Sequence, residues 1–354
     1  MKDLFKALNL TDDTGALITS PYNMQYFSGF SGGEGYVLIT REQGYIMVDS
    51  RYTGAASEEA AEGFSVHEFS IQRPFSNMLR GFLSDHGIKS LIYEEDFMTV
   101  NEYEKIKMLI EGAELIPMAG SINRQRMIKT EEELALIAKA EEIGCKAFDH
   151  VLGYIKEGVS EAEIAAELEY YMKKQGAART SFDTIVLCGE RTALPHGAPG
   201  ERKICAGDFV LMDFGCVYGG YCSDMTRTVG IGELSENQVK IYETVRQAQQ
   251  AGLEAIRCGI TGAEADAAAR RVIDEAGYGE YFGHSLGHGV GVQIHELPNL
   301  SPSSSIILEE NMVVSCEPGI YIYGVGGVRI EDLVCVEENG IRNLSTSPKE
   351  LIVL

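Results

Sequence analysis

No run of roughly 18 or more apolar residues occurs in the chain, so nothing in it reads as a membrane-spanning helix. The opening Met1-Lys2-Asp3-Leu4-Phe5-Lys6 lacks the apolar core of a secretion signal, and a cytoplasmic protein is expected. Basic residues are scarce: Lys and Arg total 30 against 53 Asp and Glu, a formal net charge of −23. Phosphate binding needs a basic face, so this deficit argues against a nucleic-acid partner. The eight cysteines, at 145, 188, 205, 216, 222, 258, 316 and 335, include no Cys-x-x-Cys pair. They read as reduced, buried thiols rather than a disulfide framework or a metal site.

What is present is ordinary globular composition, and 354 residues suggest two domains. Residues 1–122 are expected to form a small α/β domain. Ala16–Ser20, Gly35–Thr40, Tyr45–Asp49, Leu91–Tyr93 and Leu115–Met118 read as strands, being β-branched or apolar. Pro74–His86 and Val100–Gly112 read as helices, with Gly87 and Gly112 as stop signals. Residues 119–128 read as a polar crossing without periodicity. Residues 123–354 are expected to form the second, larger domain. Four capping-box patterns open helices in it: Thr130-x-x-Glu133 (a helix running to about Lys156), Ser160-x-x-Glu163, Ser235-x-x-Gln238 and Thr261-x-x-Glu264. Between them, residues 182–232 and 281–336 are rich in Gly and strand formers, which predicts mostly antiparallel sheet.

The residues that carry chemistry all lie in this larger domain. Gly219-Gly220 is a two-residue hairpin signal. It pairs Tyr218 with Tyr221, Gly215 with Asp224 and Asp213 with Thr226. Asp213 and Asp224 then share a face as diagonal neighbours, about 7–8 Å apart at the backbone. Phe209, Val210, Leu211 and Met212 mark that face as buried, where two carboxylates repel unless cations lie between them. The alternative is a pair of surface aspartates on an exposed hairpin. A second stretch, His284-Ser-Leu-Gly-His288-Gly-Val-Gly-Val-Gln-Ile-His295-Glu296, holds three of the seven histidines. His284 and His288 have helical i, i+4 spacing, but Gly283, Gly287, Gly289 and Gly291 predict a loop or bulged strand. Finally, a turn centred on Gly324 sets Glu317 opposite Glu331 between strands that look buried. An unpaired glutamate is costly there, solvated edge glutamates being the alternative. Asp213, Asp224, His288, Glu317 and Glu331 make four carboxylates and one imidazole, and two divalent ions would balance the four charges. The oxygen-rich set suits Mn²⁺, with Co²⁺, Fe²⁺ or Zn²⁺ as alternatives given one histidine.

In order and spacing these five residues resemble the metal ligands of the pita-bread-fold metallopeptidases. His284–Glu296 looks like the signature of the proline-specific branch, aminopeptidase P and prolidase. Tyr22–Phe30 and Asp49–Tyr52 resemble, more loosely, the α/β N-terminal domain of that family. The resemblance implies an α/β N-terminal domain followed by an α+β pita-bread (creatinase/aminopeptidase-like) catalytic domain, and a homodimer. It implies that Asp213 and Asp224 hold one ion and His288 the other, that Glu331 bridges, and that Glu317 binds metal and shuttles a proton. His196 (in Leu194-Pro195-His196-Gly197), His284 and His295 resemble residues that contact substrate and stabilise the tetrahedral intermediate. Arg329 resembles an arginine that orients these groups. Without the resemblance, His196 would read as a loop histidine between Pro195 and Pro199.

The implied chemistry is attack by a metal-bridging hydroxide on the carbonyl before proline, whose nitrogen carries no hydrogen to grip. Residues 296–328 contain no Lys or Arg to clamp a dipeptide's carboxylate. That tilts the expectation toward an Xaa-Pro aminopeptidase over an Xaa-Pro dipeptidase, although Arg51 from the first domain could supply the charge. A metal-free creatinase-like hydrolase should lack the five ligands. A methionine aminopeptidase fits the histidine signature less well, and a non-catalytic peptide-binding module of the same fold is the reading from a different class.

Overall fold

In a computed structural model the chain divides into two compact units, Met1–Gln125 and Arg126–Leu354. The structure describes Leu8 and residues 10–110 and 112–354. Met1–Lys6, read above for a secretion signal, lie outside the described residues.

The first unit is built on a six-stranded sheet of β1 (Thr14–Ile18), β2 (Tyr36–Ile39), β3 (Gly44–Val48), β4 (Phe64–Glu68), β5 (Ser90–Tyr93) and β6 (Glu114–Pro117), in the order β4-β3-β2-β1-β5-β6. The β1–β2–β3 pairs are antiparallel, while β3–β4, β1–β5 and β5–β6 are parallel. Its central strands are apolar on both sides because both faces are covered. Ala16, Ile18, Val37 and Ile46 pack into one core, and Leu17, Leu38 and Met47 into another. Among the described residues four helices link these strands: α1 (Pro21–Ser28), α2 (Thr53–Glu59), α3 (Phe75–Asp85) and α4 (Val100–Leu109). α1, α2 and β4 carry no clear sequence signal. The start of α1 explains why. Ser20 makes no side-chain cap. Instead the buried Glu94 carboxylate accepts from the backbone N–H groups of Thr19 and Ser20 and from Asn23 Nδ2, at 2.5, 2.8 and 2.6 Å. The cap is more than seventy residues away in sequence.

The polar crossing at 119–128 is in fact a helix, α5 (Ser121–Met127). Its periodicity is hidden because one of its buried positions is Arg126. Beyond it lie α6 (Glu131–Leu152), α7 (Glu161–Lys174), α8 (Glu236–Ala255) and α9 (Gly262–Glu275), and all four predicted capping boxes form at their starts. α6 ends at Leu152, short of Lys156. Ile155 is buried from the following turn, so the apolar spacing outruns the helix.

The strands of this unit are β7 (Arg179–Thr180), β8 (Ile185–Cys188), β9 (Phe209–Phe214), β10 (Cys216–Tyr218), β11 (Tyr221–Cys222), β12 (Met225–Gly230), β13 (Gly287–Gly289), β14 (Glu296–Leu300), β15 (Val313–Cys316), β16 (Gly319–Ile322), β17 (Gly326–Arg329), β18 (Asp332–Glu337) and β19 (Gly340–Asn343). They form sheets β12-β9-β8, β11-β10-β7, β14-β13-β15-β18-β19 and β16-β17, and the pairings are antiparallel. α6 and α7 pack on one core with β8, β9 and β12, while α8 and α9 pack on another with β15 and β17. The strands packed against these helix pairs carry the site. Among the described residues no helix is long and apolar enough to cross a membrane, and no cysteine is in a disulfide.

Candidate active site

The hairpin registers place the carboxylates. Gly219 and Gly220, both at positive φ (55° and 86°), make the tight loop that pairs Tyr218 with Tyr221. Further down, Asp213 lies opposite Thr226. Asp224 sits just before β12, at the step where the hairpin passes from one sheet to the next. A Cβ on Gly215 would come 2.0 Å from Ser223 O, so the two strands can approach there only because residue 215 is glycine. The second hairpin turns at Gly324. Gly319 pairs with Arg329 and Cys316 with Asp332, one continuous register that sets Glu317 across from Glu331 at the gap between the two ladders. His288 lies in the middle of β13, whose pairing with β14 slips between Gly287 and Gly289. It is a bulged strand, as the glycines predict, and not a helix. Gly287 and Gly289 have no room for a side chain, a Cβ coming 2.1 Å from Ser315 O and 2.3 Å from Leu297 O.

These segments wall one cavity of about 610 Å³, and all nine candidate residues line it: Asp213, Asp224, His288, Glu317, Glu331, His284, His295, His196 and Arg329. Ligand atoms of Asp224, His288 and Glu331 lie within 4.8 Å of one another. His288 Nε2 stands 3.5 Å from Asp224 Oδ2 and 3.3 Å from Glu317 Oε1. Its Nδ1 is 3.1 Å from Gly289 O, an obligate acceptor. Nδ1 therefore carries the proton and Nε2 is the face offered to the cavity.

The protein leaves part of this charge uncompensated. Burial pushes the carboxyls of Asp224 and Glu331 well above the ordinary range. Neighbouring acids push the same way, Glu331 foremost on Asp224 and Glu317 on Glu331. Asp213 is raised by burial as well, against the pull of Arg329. Glu317 goes the other way: burial opposes its ionisation, but without metal a His288 protonated at Nε2 as well holds it down to about 2. Asp213 Oδ1 and Glu331 Oε1 are buried without any hydrogen-bond partner, while their other oxygens are taken by Arg329 Nη2 (2.5 Å) and Thr226 Oγ1 (2.7 Å). A buried anionic oxygen without a donor costs several kcal/mol unless a cation meets it. The donor set and these two orphaned oxygens fit a pair of divalent ions.

Around this centre sits a frame in which Arg329 and His284, both expected from the resemblance, are joined by Tyr321, which sequence reasoning did not find. Arg329, fully buried, donates through Nε to Thr226 Oγ1 at 3.0 Å and through Nη1 to Tyr321 OH at 2.7 Å. Tyr321 OH in turn lies 3.0 Å from His284 Nε2, and His284 Nδ1 lies 2.9 Å from Ser285 O. Because the carbonyl can only accept, Nδ1 is protonated and Tyr321 donates to Nε2. Burial also lowers the pKa of His284, so the ring is neutral and both nitrogens are engaged. His295 packs edge-on against His288, ring centroids 4.4 Å apart, and is likewise lowered, by partial burial and by His288. His196 is exposed to the cavity. Tyr321 is an unremarkable β-strand tyrosine in the sequence. Only its position opposite Gly327, two steps from Arg329, would have pointed to it.

Arg51, the candidate clamp from the first unit, is already committed there. It pairs with Asp49 at 2.7 Å and with Glu34 at 2.6 Å on the surface of that unit.

Comparison with known proteins agrees with the geometry. Residues 135–338 match the model of Metallopeptidase family M24, and residues 2–128 match that of the Creatinase/Prolidase N-terminal domain. The chain is 40% identical to an Xaa-Pro dipeptidase of Pyrococcus horikoshii, over 99% of this chain and 98% of that protein. The solved Xaa-Pro dipeptidase from Bacillus anthracis superposes with a TM-score of 0.93 at 44% identity, covering 100% of this chain and 98% of that one. An X-Pro aminopeptidase from Thermotoga maritima superposes with a TM-score of 0.91 at 38% identity, covering 99% and 100%. With a creatinase-type N-terminal unit and a pita-bread catalytic unit that gathers four carboxylates and a histidine, this chain belongs to metallopeptidase family M24.

Proposed function

We propose that the protein is an Xaa-Pro dipeptidase that works with two divalent ions, Mn²⁺ being the best match to an oxygen-rich donor set. Asp213, Asp224, His288, Glu317 and Glu331 are its ligands. The observation that carries the reading is the convergence of these five groups on one cavity wall, with Asp213 Oδ1 and Glu331 Oε1 left without donors. When bound, the ions acidify a water molecule and polarise the scissile carbonyl.

The rest falls to the chain. Glu317, steadied by Ser315 Oγ at 3.0 Å, takes the proton of the attacking water and returns it to the proline nitrogen. Arg329 holds Asp213 in one orientation and spreads its remaining donors over Thr226 and Tyr321. His196 and His295 face the substrate as the donors for charge developing on the carbonyl oxygen. His284 can join them only by exchanging Tyr321 for substrate at Nε2. No step needs an N–H on the scissile nitrogen, which is what a bond to proline requires.

Dipeptidase is preferred to aminopeptidase because Xaa-Pro dipeptidases match this chain end to end at 40% and 44% identity. One observation favours the second reading, an Xaa-Pro aminopeptidase. Among the described residues Arg329 is the lone Lys or Arg lining the cavity, and it is engaged by Asp213 and Tyr321. The deciding experiment strips the enzyme with chelator, restores Mn²⁺ or Co²⁺, and compares Xaa-Pro with Xaa-Pro-Yaa peptides. Cleavage of the dipeptide at least tenfold faster in kcat/KM is expected. Equal or faster tripeptide cleavage moves the assignment to the aminopeptidase, and no turnover of either removes the peptidase reading.

A further inference from the structure

His196 reaches the cavity from the loop that joins β8 to the strand bearing Asp213, and the loop's shape is set from outside it. Glu161, the first residue of α7, is completely buried. Its carboxylate grips both ends of the loop: Oε1 accepts from Cys188 N at 2.9 Å and Oε2 from Gly200 N at 3.0 Å. The backbone of the same helical turn returns the contact, Glu161 N donating to Arg202 O and Ala162 N to Gly200 O. Arg191 then spans the loop. Its Nε lies 3.0 and 3.1 Å from the two Glu161 oxygens, and its Nη2 donates to Ala198 O at 2.7 Å, two residues beyond His196. Thr192, next in line, receives Gly327 N at 2.7 Å and so ties the loop to the hairpin that ends in Arg329.

A completely buried glutamate is costly unless its oxygens are filled, and here every donor that fills them belongs to this one loop. The arrangement is a brace across residues 188–200 with Pro195, His196 and Ala198 at its cavity side.

We propose that the Glu161–Arg191 pair is a positioning device for His196, holding the loop in the one shape that presents that imidazole to the substrate carbonyl. The proposal rests on the role given to His196 above. A group displaced by about 1 Å from its productive place can cost about a hundredfold in rate. Neither Glu161 nor Arg191 touches substrate in this account. Both act through the backbone of residues 188–200.

The test is a double-mutant cycle. Arg191→Met is the first variant, because Arg191 is partly exposed while Glu161→Gln leaves a buried amide facing two N–H groups and can simply fail to fold. In the wild-type background Arg191→Met is expected to lower kcat/KM for an Xaa-Pro peptide about tenfold or more, with unchanged bound metal, and Arg191→Lys to recover part of it. In the His196→Ala background the same substitution is expected to have no further effect. Equal losses in both backgrounds, or no loss in either, overturn the proposal. A second readout does not depend on turnover. The ¹⁵N imidazole signals of His196 should shift or broaden in Arg191→Met while those of His288 stay in place. If the wild-type enzyme cleaves no Xaa-Pro peptide, the functional reading fails by itself, and the imidazole signals still decide whether Arg191 positions His196. An unmoved His196 signal overturns the brace.

Discussion

Two kinds of buried carboxylate sit within a few residues of each other in this catalytic unit. Glu296 follows His295, and its two oxygens are met by Arg126 at 2.5 Å and Lys129 at 2.7 Å, all three side chains being nearly inaccessible. Asp332 follows Glu331 and is met by Arg227 at 2.7 Å and Lys349 at 2.9 Å. In both, the opposing cations overcome burial and hold the carboxyl below its usual range. Asp224 and Glu331 are buried equally well but face other acids, and are pushed far up. The chain can neutralise a buried acid with its own side chains and does so twice beside the site. Where it does not, a proton or, as proposed for Asp224 and Glu331, a metal cation has to arrive from solution. The difference separates structural from functional acids better than burial does.

The largest effect should come from removing an uncompensated acid. Asp224→Ala or Glu331→Ala is expected to lower kcat/KM about a thousandfold or more, roughly 4 kcal/mol of transition-state stabilisation. Metal content measured on the purified variant should fall with it, while the folding transition persists, because the deletion relieves repulsion. Full activity in either variant would remove the residue from the ligand set. Deleting a compensated acid should invert the pattern. Glu296→Ala leaves Arg126 and Lys129 buried side by side, which is expected to cost about 3 kcal/mol of stability in a denaturant titration. Bound metal should stay at the wild-type level. A variant that loses metal but not stability would mean that Glu296 belongs with the site.

Which acids belong to which class is partly visible in the sequence, and the reason is local geometry. Gly219-Gly220 and the Gly324 turn each fix a strand register, and a register with period two decides which side chains share a face. Asp213 opposite Thr226 and Glu317 across from Glu331 follow by counting outward from the turns. The capping boxes at Thr130, Ser160, Ser235 and Thr261 are equally local, spanning three residues each. The resemblance added His196 and Arg329, which no turn could have brought in, and gave roles to His284 and His295, which the glycine-rich cluster of histidines already marks. What stayed hidden joins distant segments. Glu94 caps a helix more than seventy residues earlier, Arg126 finds Glu296 at a separation of 170, and Tyr321 matters only because Arg329 and His284 converge on it. α5 looks like a polar crossing in the sequence for that reason. A buried arginine breaks an apolar pattern, and its partner lies far down the chain.

The same comparison gives opposite signs to the pH dependence of stability, and this is the smallest effect expected. For Glu296 and Asp332 the folded pKa lies below the unfolded one. Their contribution is present above the ordinary carboxylate range and is lost as pH falls through the lowered folded values. For Asp224 and Glu331 the folded pKa lies above the unfolded one, so without metal the fold favours their protonated forms. That contribution is complete below the ordinary range and drains away as pH rises toward the raised values. Glu141 works in the same direction. It is completely buried against Ser345 Oγ and the backbone N–H of Asp224, and burial raises it from 4.5 to about 7. Chelated protein should therefore lose roughly a few degrees of Tm between about pH 5 and pH 8, while metal-loaded protein should hold or gain over the same interval. The two melting curves should converge toward acid, where protonated ligands no longer bind cations. Curves that stay parallel across this range would mean that Asp224 and Glu331 already have their counter-charges within the chain, and the division between the two kinds of acid would fail.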